Sequence, residues 1–135
     1  MSKTYAPKIS EIKRETHKFD ATNEILGRLA TKISKILMGK HKAMFTNNEN
    51  VGDRVIVTNV EKIRFTGKKL KDKIYTHHTG FPKGLRQESL QSLSERRPSE
   101  VLKKAVSGML PKNRLRRERI NNLKLIVGGS DAKNN

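Results

Sequence analysis

Basic side chains, which can bind an anionic ligand, are concentrated in three clusters of this sequence: Lys40-His41-Lys42, Lys68-Lys69-Leu70-Lys71 and Lys112-Asn113-Arg114-Leu115-Arg116-Arg117. Lys and Arg release condensed counterions when they meet a phosphate backbone, and the Arg guanidinium also forks onto phosphates. One charged run is equally typical of a solvated surface, but three runs with so little acid favour a polyanionic partner. We expect each cluster at a loop or helix end, where long side chains reach phosphates without disturbing a core.

The charge of the whole chain points the same way. Among 135 residues, 30 Lys and Arg oppose 13 Asp and Glu, which gives a formal net charge of +17. The polyanion could be nucleic acid, an anionic membrane surface or an acidic protein. The apolar runs are far too short to span a membrane, and the N-terminus resembles neither a secretory signal nor a transit peptide. We therefore expect a protein that works in the cytoplasm.

Metal binding is not predicted. The chain has no cysteine, which excludes disulfides, thiolate zinc sites and cysteine nucleophiles. His77 and His78 are adjacent in a predicted strand and would point to opposite faces, while His17 and His41 have no recognisable ligand spacing. We expect His78 or His41 to hydrogen-bond RNA or its own loop.

Catalysis and cofactor binding are not predicted either. Thr66-Gly67-Lys68 hints at a phosphate loop, but Lys62 stands where its first glycine belongs and Lys69 where a magnesium-binding Ser or Thr belongs. No serine has a convincing His and acid pattern. The scattered acids are interpreted as residues that cap or close turns: Asp20, Asp53 and Asp72.

Aromatic side chains are scarce, with four Phe and two Tyr in the chain. No motif of an RNA-recognition sheet is present, so single-strand binding by base stacking is disfavoured. Positive charge without stacking platforms favours folded RNA that is recognised by its shape and backbone.

The segments before and after these clusters alternate between strand patterns and helix patterns. Strands are predicted over 17–21, 55–60, 63–66, 73–77 and 123–127, and helices over 25–38, 89–95, 98–109 and 113–122. The strand 73–77 is predicted as the return strand of 63–66, after a lysine-rich turn that Gly67 opens. The β-branched run Val55-Ile56-Val57 is typical of a strand buried on both faces, as in a parallel sheet. We therefore predict one α/β domain over 1–135 with a mostly parallel central sheet, a basic extension over about 1–15 and a short tail over about 128–135.

Specific motifs occur in one order along the chain: Leu26-Gly27-Arg28-Leu29-Ala30-Thr31, Gly39-Lys40-His41-Lys42-Ala43, Gly52-Asp53, Thr66-Gly67-Lys68-Lys69, His78-Thr79-Gly80, Arg96-Arg97-Pro98 and Gly108-Met109-Leu110-Pro111-Lys112. This series, over about residues 15–128, closely resembles the family of the bacterial-type ribosomal protein that is thirteenth in the large-subunit series. The resemblance implies a three-layer α/β/α domain around a mainly parallel four-stranded sheet. It also implies binding to large-subunit rRNA early in subunit assembly, beside neighbouring ribosomal proteins, with no enzymatic activity, no small-molecule substrate and no homo-oligomer.

The clusters and the family motifs together define the predicted rRNA-binding residues: Arg28, Lys32, Lys40, His41, Lys42, Lys68, Lys69, Lys71, His78, Lys83, Arg86, Lys112, Arg114, Arg116 and Arg117. Two loops depart from the family pattern. Phe81-Pro82-Lys83-Gly84 stands where the family usually has a Gly-Gly pair, and Arg116 stands where it usually has glycine. The resemblance therefore does not predict the backbone path at the first position, where Lys83 adds a candidate contact, and we expect a straighter helix at the second.

Two other classes of function remain open from the residues alone. A regulator of duplex DNA would need a recognition helix, for which the segment 113–122 is the only candidate. A nucleotide-dependent enzyme would rest on fold analogy and lacks every requirement of a phosphate loop.

Overall fold

The computed structural model describes residues 5–128. The elements in chain order are β1 (Thr16–Asp20), α1 (Leu26–Met38), β2 (Arg54–Thr58), α2 (Lys69–Asp72), β3 (Ile74–His78), β4 (Leu85–Ser89), α3 (Leu90–Arg96), α4 (Pro98–Met109), α5 (Leu115–Asn121) and β5 (Leu123–Leu125), with 3₁₀ turns at Ile9–Glu11 and Val60–Lys62. Apart from Gly128, the predicted tail over 128–135 lies outside the described residues. Within 5–128, no helix has both the length and the apolar character that a membrane crossing requires.

A parallel sheet of three strands, in the order β1-β2-β5, lies at the centre of the domain. Its register sets His17 opposite Val55, and Val57 opposite Leu125. Val55 and Val57 of the middle strand lie on one face of the sheet and are fully buried, whereas Ile56 on the other face is half-buried. The burial on both faces that the β-branched run predicts is therefore complete on one face only. The predicted parallel α/β arrangement is thus confirmed.

The predicted fourth strand of this sheet is not confirmed. Among the described residues, the segment 63–66 contributes one parallel bridge, between Arg64 and Ile25. Beyond β2, Asn59 has a left-handed φ of 55° and the chain enters a 3₁₀ turn, where the sequence predicts an extension of the strand. Val60 and Ile63 are buried at this turn. Their apolar side chains are therefore explained by burial and do not indicate an extended backbone. The three-layer arrangement of the helices stays a prediction.

The middle of the chain forms a two-stranded antiparallel hairpin that the sequence does not predict. β3 pairs with β4 in a register that sets His77 opposite Arg86, whereas the sequence pairs β3 with 63–66. Instead, the lysine-rich segment before β3 forms the short helix α2. All residues from Thr76 to Gln87 except Gly84 are exposed, and we call this projecting part the hairpin arm.

Helices α1 and α4 pack against each other over the main core. Leu29, Ile33 and Leu37 of α1 are buried there together with Leu102 and Val106 of α4. Both helices match the predicted apolar stripes. A Pro in the first turn of α4 supplies a backbone angle that suits a helix start.

The turn before β2 approaches the end of α1 so closely that only glycine fits there. A Cβ added at Gly52 would lie 1.8 Å from the carbonyl oxygen of Leu37. We expect Gly52→Ala to lower the free energy of unfolding by about 1–3 kcal/mol, the range for overpacked interiors, as measured by chemical denaturation.

Gly108→Ala is the matched control for this substitution. An added Cβ at Gly108 meets nothing within 4 Å, and alanine is favoured over glycine inside a helix by roughly 0.5–1 kcal/mol. An equal loss of stability in both variants would contradict the steric explanation.

Candidate nucleic-acid interface

Basic side chains follow α1 from its beginning to its end. Its exposed face carries Arg28, Lys32 and Lys35 at helical spacing, over a helix of 13 residues that is about 20 Å long. Gly39, with a left-handed φ of 80°, ends the helix, and the exposed Lys40 follows directly. The first predicted cluster therefore continues the stripe on α1.

The other two clusters flank the same helix. At the beginning of α1, Gly27 lines a cavity together with Lys69 of the second cluster and Met109 at the end of α4. Helix α5, which carries Arg116 and Arg117 of the third cluster, packs against both α1 and α4. We call this combined surface the basic band, and it consists of Arg28, Lys32, Lys35, Lys40, Lys68, Lys69, Lys71, Lys112, Arg114, Arg116 and Arg117.

Three other predicted residues lie elsewhere, on the hairpin arm. Lys83 and Arg86 are exposed near its tip, where Lys83 has a φ of 58°. His78 is exposed, and its Nδ1 accepts a hydrogen bond of 2.9 Å from the backbone N–H of Gly80. The expected bond between His78 and its own loop is therefore present.

Most of the predicted cations are available to a ligand. Every predicted residue is exposed except Lys42 and Arg116, which are half-buried. Within residues 5–128, only Lys32, His41 and Lys42 of the predicted set have a carboxylate oxygen within 4 Å. By contrast, two arginines outside the set are paired: Arg96 with Glu88 at 2.7 Å and Arg97 with Glu100 at 2.8 Å. Within residues 5–128, the basic band and the hairpin arm therefore keep most of their positive charge unpaired, and cations elsewhere, such as Lys18, Lys62 and Lys103, also have no carboxylate oxygen within 4 Å.

Asp53, interpreted from the sequence as a turn residue, is instead the centre of a buried network. Its side chain is fully buried. One oxygen, Oδ2, lies 2.9 Å from Nε2 of His17 and 2.7 Å from Nε2 of His41. The other, Oδ1, accepts hydrogen bonds from the backbone N–H of Glu15 at 3.0 Å and from the ammonium of Lys42. The network joins the N-terminal segment, the loop after α1 and the start of β2.

The ammonium of Lys42 is fully engaged within this network. Besides Asp53, it donates to the backbone carbonyls of Lys13 at 2.7 Å and Val51 at 3.1 Å. An ammonium has three N–H donors, and three protein acceptors are present. Lys42 therefore anchors the loop that carries Lys40, and an RNA contact from Lys42 itself stays a prediction.

The same network brings together residue types that bind metals. The nearest ligand atoms of His17, His41 and Asp53 all lie within 4.8 Å of one another. However, the positive charge of Lys42 stands against the same carboxylate, and its repulsion opposes a divalent cation. We interpret the group as a hydrogen-bonded ion-pair network, and the prediction that the chain binds no metal is unchanged.

The network also determines how Asp53 titrates. Burial raises the pKa of the Asp53 carboxyl group, but hydrogen bonds from Lys42, His17, the Glu15 backbone and His41 lower it by more. The pKa therefore lies well below the usual range of an aspartate. A carboxyl group with a depressed pKa in the folded state stabilises the fold above its unfolded pKa, and this contribution is lost as the pH falls.

We therefore expect the stability gap between the native chain and Asp53→Asn to narrow as the pH falls below about 3.8, the ordinary carboxyl pKa. The protonated aspartate resembles the asparagine, so the two chains converge in acid. Asn59 and Thr22 lower the pKa of Asp20 to about 2, but this shift is shared by both chains and cancels. Urea titrations at a series of pH values measure the gap, and a constant gap down to pH about 2 would contradict this account.

The candidate recognition helix of a DNA regulator is poorly suited to that role. α5 contains seven residues. Arg119 is 1% exposed and Leu115 and Ile120 are partly buried, so a large part of the helix surface faces protein. Few side chains remain that could read base edges in a groove.

These features define a class of protein: a basic α/β domain that carries clusters of unpaired cations along one helix and its neighbouring loops, as in nucleic-acid-binding proteins. Within that class the chain belongs to the ribosomal protein L13 family, whose model matches residues 14–131. The resemblance inferred from the ordered motifs is therefore confirmed.

Individual relatives agree with this assignment. The chain is 48% identical over 126 residues to large ribosomal subunit protein uL13 of Legionella pneumophila (strain Corby), which covers 93% of this chain and 88% of the relative. It is 49% identical over 128 residues to the protein of the same name from Pelobacter propionicus, with 95% and 90% covered. For Syntrophus aciditrophicus the identity is 46% over 126 residues, with 93% and 89% covered.

Proposed function

We propose that this chain is a structural constituent of the large ribosomal subunit that binds and stabilises folded large-subunit rRNA and catalyses no reaction. The observation that carries the proposal is the basic band, a row of exposed and mostly unpaired cations along α1, α2 and α5. Membership of the ribosomal protein L13 family supports it, because the relatives are named as proteins of the large ribosomal subunit.

The chemistry of the band suits a phosphate backbone. Lys and Arg side chains at helix ends and loops contact phosphates and thereby fix the register of a protein on RNA without reading its sequence. The exposed stripe on α1 runs about 10 Å along the helix axis from Arg28 to Lys35, and Lys40 continues it, so that it is long enough to meet successive phosphates of a folded RNA. The hairpin arm, with Lys83 and Arg86, adds a second group of cations outside the band.

The location and the partners that we propose for the chain follow from its membership of the ribosomal protein L13 family. We infer that the chain acts as a single domain in the cytoplasm, on the ribosome, and that it joins the subunit early in assembly. Its partners are large-subunit rRNA and neighbouring ribosomal proteins. It needs no small-molecule substrate and no second copy of itself.

Equilibrium binding to purified large-subunit rRNA at a series of salt concentrations tests the proposal. Each neutralised phosphate adds about −0.9 to the slope of log affinity against log salt for duplex DNA, and we expect a steep negative slope for rRNA too. Large-subunit rRNA should be preferred over small-subunit rRNA and random duplex DNA. Equal affinity for random DNA, or an affinity that is insensitive to salt, would contradict the proposal.

A further inference from the structure

A cavity of about 380 Å³ opens between the beginning of α1, the segment before α2 and the end of α4. Part of its lining is apolar: Leu90 is fully buried, and Leu26, Phe65 and Ala105 are half-buried. Ligand pockets in proteins typically measure about 300–1,000 Å³, so this cavity is at the small end. Its size is sufficient for one base-sized group.

The rest of the lining is cationic. Arg64, Lys69, Lys73 and Lys104 are exposed at the cavity, and no lining residue is acidic. Among the described residues, none of the four has a carboxylate oxygen within 4 Å. An apolar interior with cations around it matches a ligand that has one flat apolar part and one anionic part.

Two of these cations are held at the same aromatic ring. The ammonium of Lys73 lies 5.4 Å from the centre of the Tyr75 ring, and that of Lys104 lies 4.7 Å from it. The ring attracts both cations, but it neutralises neither, and the two like charges repel each other. An anion bound beside them would relieve this repulsion, which favours a phosphate at this side of the cavity.

We propose that this cavity receives a single unstacked nucleotide of the bound RNA, with the base on the apolar lining near Phe65 and the phosphates on the four cations. The inference rests on the proposed function, since Lys69 belongs to the basic band and the cavity is continuous with it. RNA-binding proteins commonly splay out single bases and hold them against aromatic side chains. The scarcity of aromatic residues therefore limits such a contact to one place and does not exclude it.

Two substitutions, which we call the filled variants, add a side chain at the lining of the cavity and leave every cation in place. A Cβ added at Gly27 or at Gly108, both of which line the cavity, meets nothing within 4 Å. Gly27→Leu and Gly108→Leu therefore introduce a side chain into open space and should fold. Gln91→Leu, an exposed position on α3 outside the cavity lining, controls for an added leucine, and urea denaturation confirms the folding of all three variants.

The first measurement is ultraviolet crosslinking of the native chain to purified large-subunit rRNA, with the crosslinked peptide and nucleotide identified by mass spectrometry. We expect one nucleotide crosslinked to the peptide that contains Phe65. Gly27→Leu and Gly108→Leu should abolish this crosslink and weaken rRNA binding roughly tenfold, whereas Gln91→Leu should change neither. If both filled variants keep the crosslink and the affinity, the cavity does not hold a nucleotide.

The same comparison separates this inference from the proposed function. If Arg114→Gln/Arg117→Gln loses rRNA affinity while the filled variants do not, the cavity proposal fails and the proposed function stands. If the native chain itself does not bind the rRNA, the proposed function fails.

A second measurement identifies the class of ligand by nuclear magnetic resonance. Titration of the native chain with adenosine, guanosine, cytidine or uridine monophosphate should shift the backbone amide signals of Gly27 and Gly108. Inorganic phosphate and oligoglutamate are the comparison ligands. Shifts of these two signals by oligoglutamate but by no nucleotide would overturn the proposal, because the cavity would then suit an acidic peptide.

Discussion

Replacing Asp53 by alanine is expected to lower the free energy of unfolding by about 3 kcal/mol, near the lower end for a buried ion pair broken on one side. Asp53 is fully buried, and the side chain of Lys42 is 14% exposed. The substitution leaves that ammonium without its anion, and the backbone N–H of Glu15 loses its acceptor. Chemical denaturation at neutral pH measures the change.

Asp72→Ala is the matched control for this prediction, because it removes an exposed carboxylate for which the described residues show no hydrogen bond or ion pair. We expect its free energy of unfolding to stay within about 0.5 kcal/mol of the native value, as is usual for exposed positions. Similar small effects of both substitutions would show that the Asp53 network does not hold the fold together.

Removal of two arginines from the basic band is expected to weaken rRNA binding about a hundredfold. Arg114 and Arg117 are exposed and have no carboxylate within 4 Å among the described residues. Each charge-assisted hydrogen bond to a phosphate contributes about 1.5 kcal/mol at the lower end of its range, and every 1.4 kcal/mol is about a factor of ten in affinity. The salt slope of Arg114→Gln/Arg117→Gln should also be shallower by about two.

The double variant Arg96→Gln/Arg97→Gln removes the same charge from arginines that already have acidic partners. Glu88 and Glu100 neutralise this pair in the native chain, so we expect its rRNA affinity to change by less than about threefold, since exposed ion pairs contribute little. Equal losses in the two double variants would mean that net charge alone, and not the position of the cations, determines binding.

The elements with a strong local signal could be predicted from the sequence. Helix α1 has a regular apolar stripe and a glycine that ends it, and α4 has a proline in its first turn. Both lie within a residue or two of the predicted ranges. The β-branched run of β2 likewise indicated its place in a parallel sheet, because strands that are largely covered by other elements are rich in apolar β-branched residues.

The elements that depend on pairing with distant residues could not be predicted from the sequence. β4 reads Leu-Arg-Gln-Glu-Ser, which has neither alternation nor a β-branched residue, and it is a strand only because β3 lies beside it. The segment 63–66 is the opposite case: its apolar residues predicted a strand, but it contributes only one bridge to a sheet among the described residues. Ile63 is buried and Phe65 is half-buried beside other elements, and burial of an apolar side chain does not require an extended backbone.

The candidate site also has one part that the sequence predicts, the cation clusters, and one part that it does not, the Asp53 network. The clustered lysines and arginines are close together in the sequence itself, so they can be found without a structure. Most of them are exposed in the folded chain. The Asp53 network was missed because its members are 11 to 38 residues apart and the sequence gives no sign of which acid meets which base. The one available signal was that Gly52-Asp53 belongs to the same ordered motif series as Lys40-His41-Lys42.

We conclude that this chain is a component of the large ribosomal subunit, in which its lysine and arginine side chains bind rRNA phosphates. Sedimentation of ribosomal subunits from cells that produce a tagged copy of the chain tests it most directly, at low and at high salt. We predict that the tagged chain migrates with the large subunit at low salt, and that high salt releases more of the Arg114→Gln/Arg117→Gln variant than of the native chain. A native chain that stays at the top of the gradient at low salt, or migrates with the small subunit, would contradict the account.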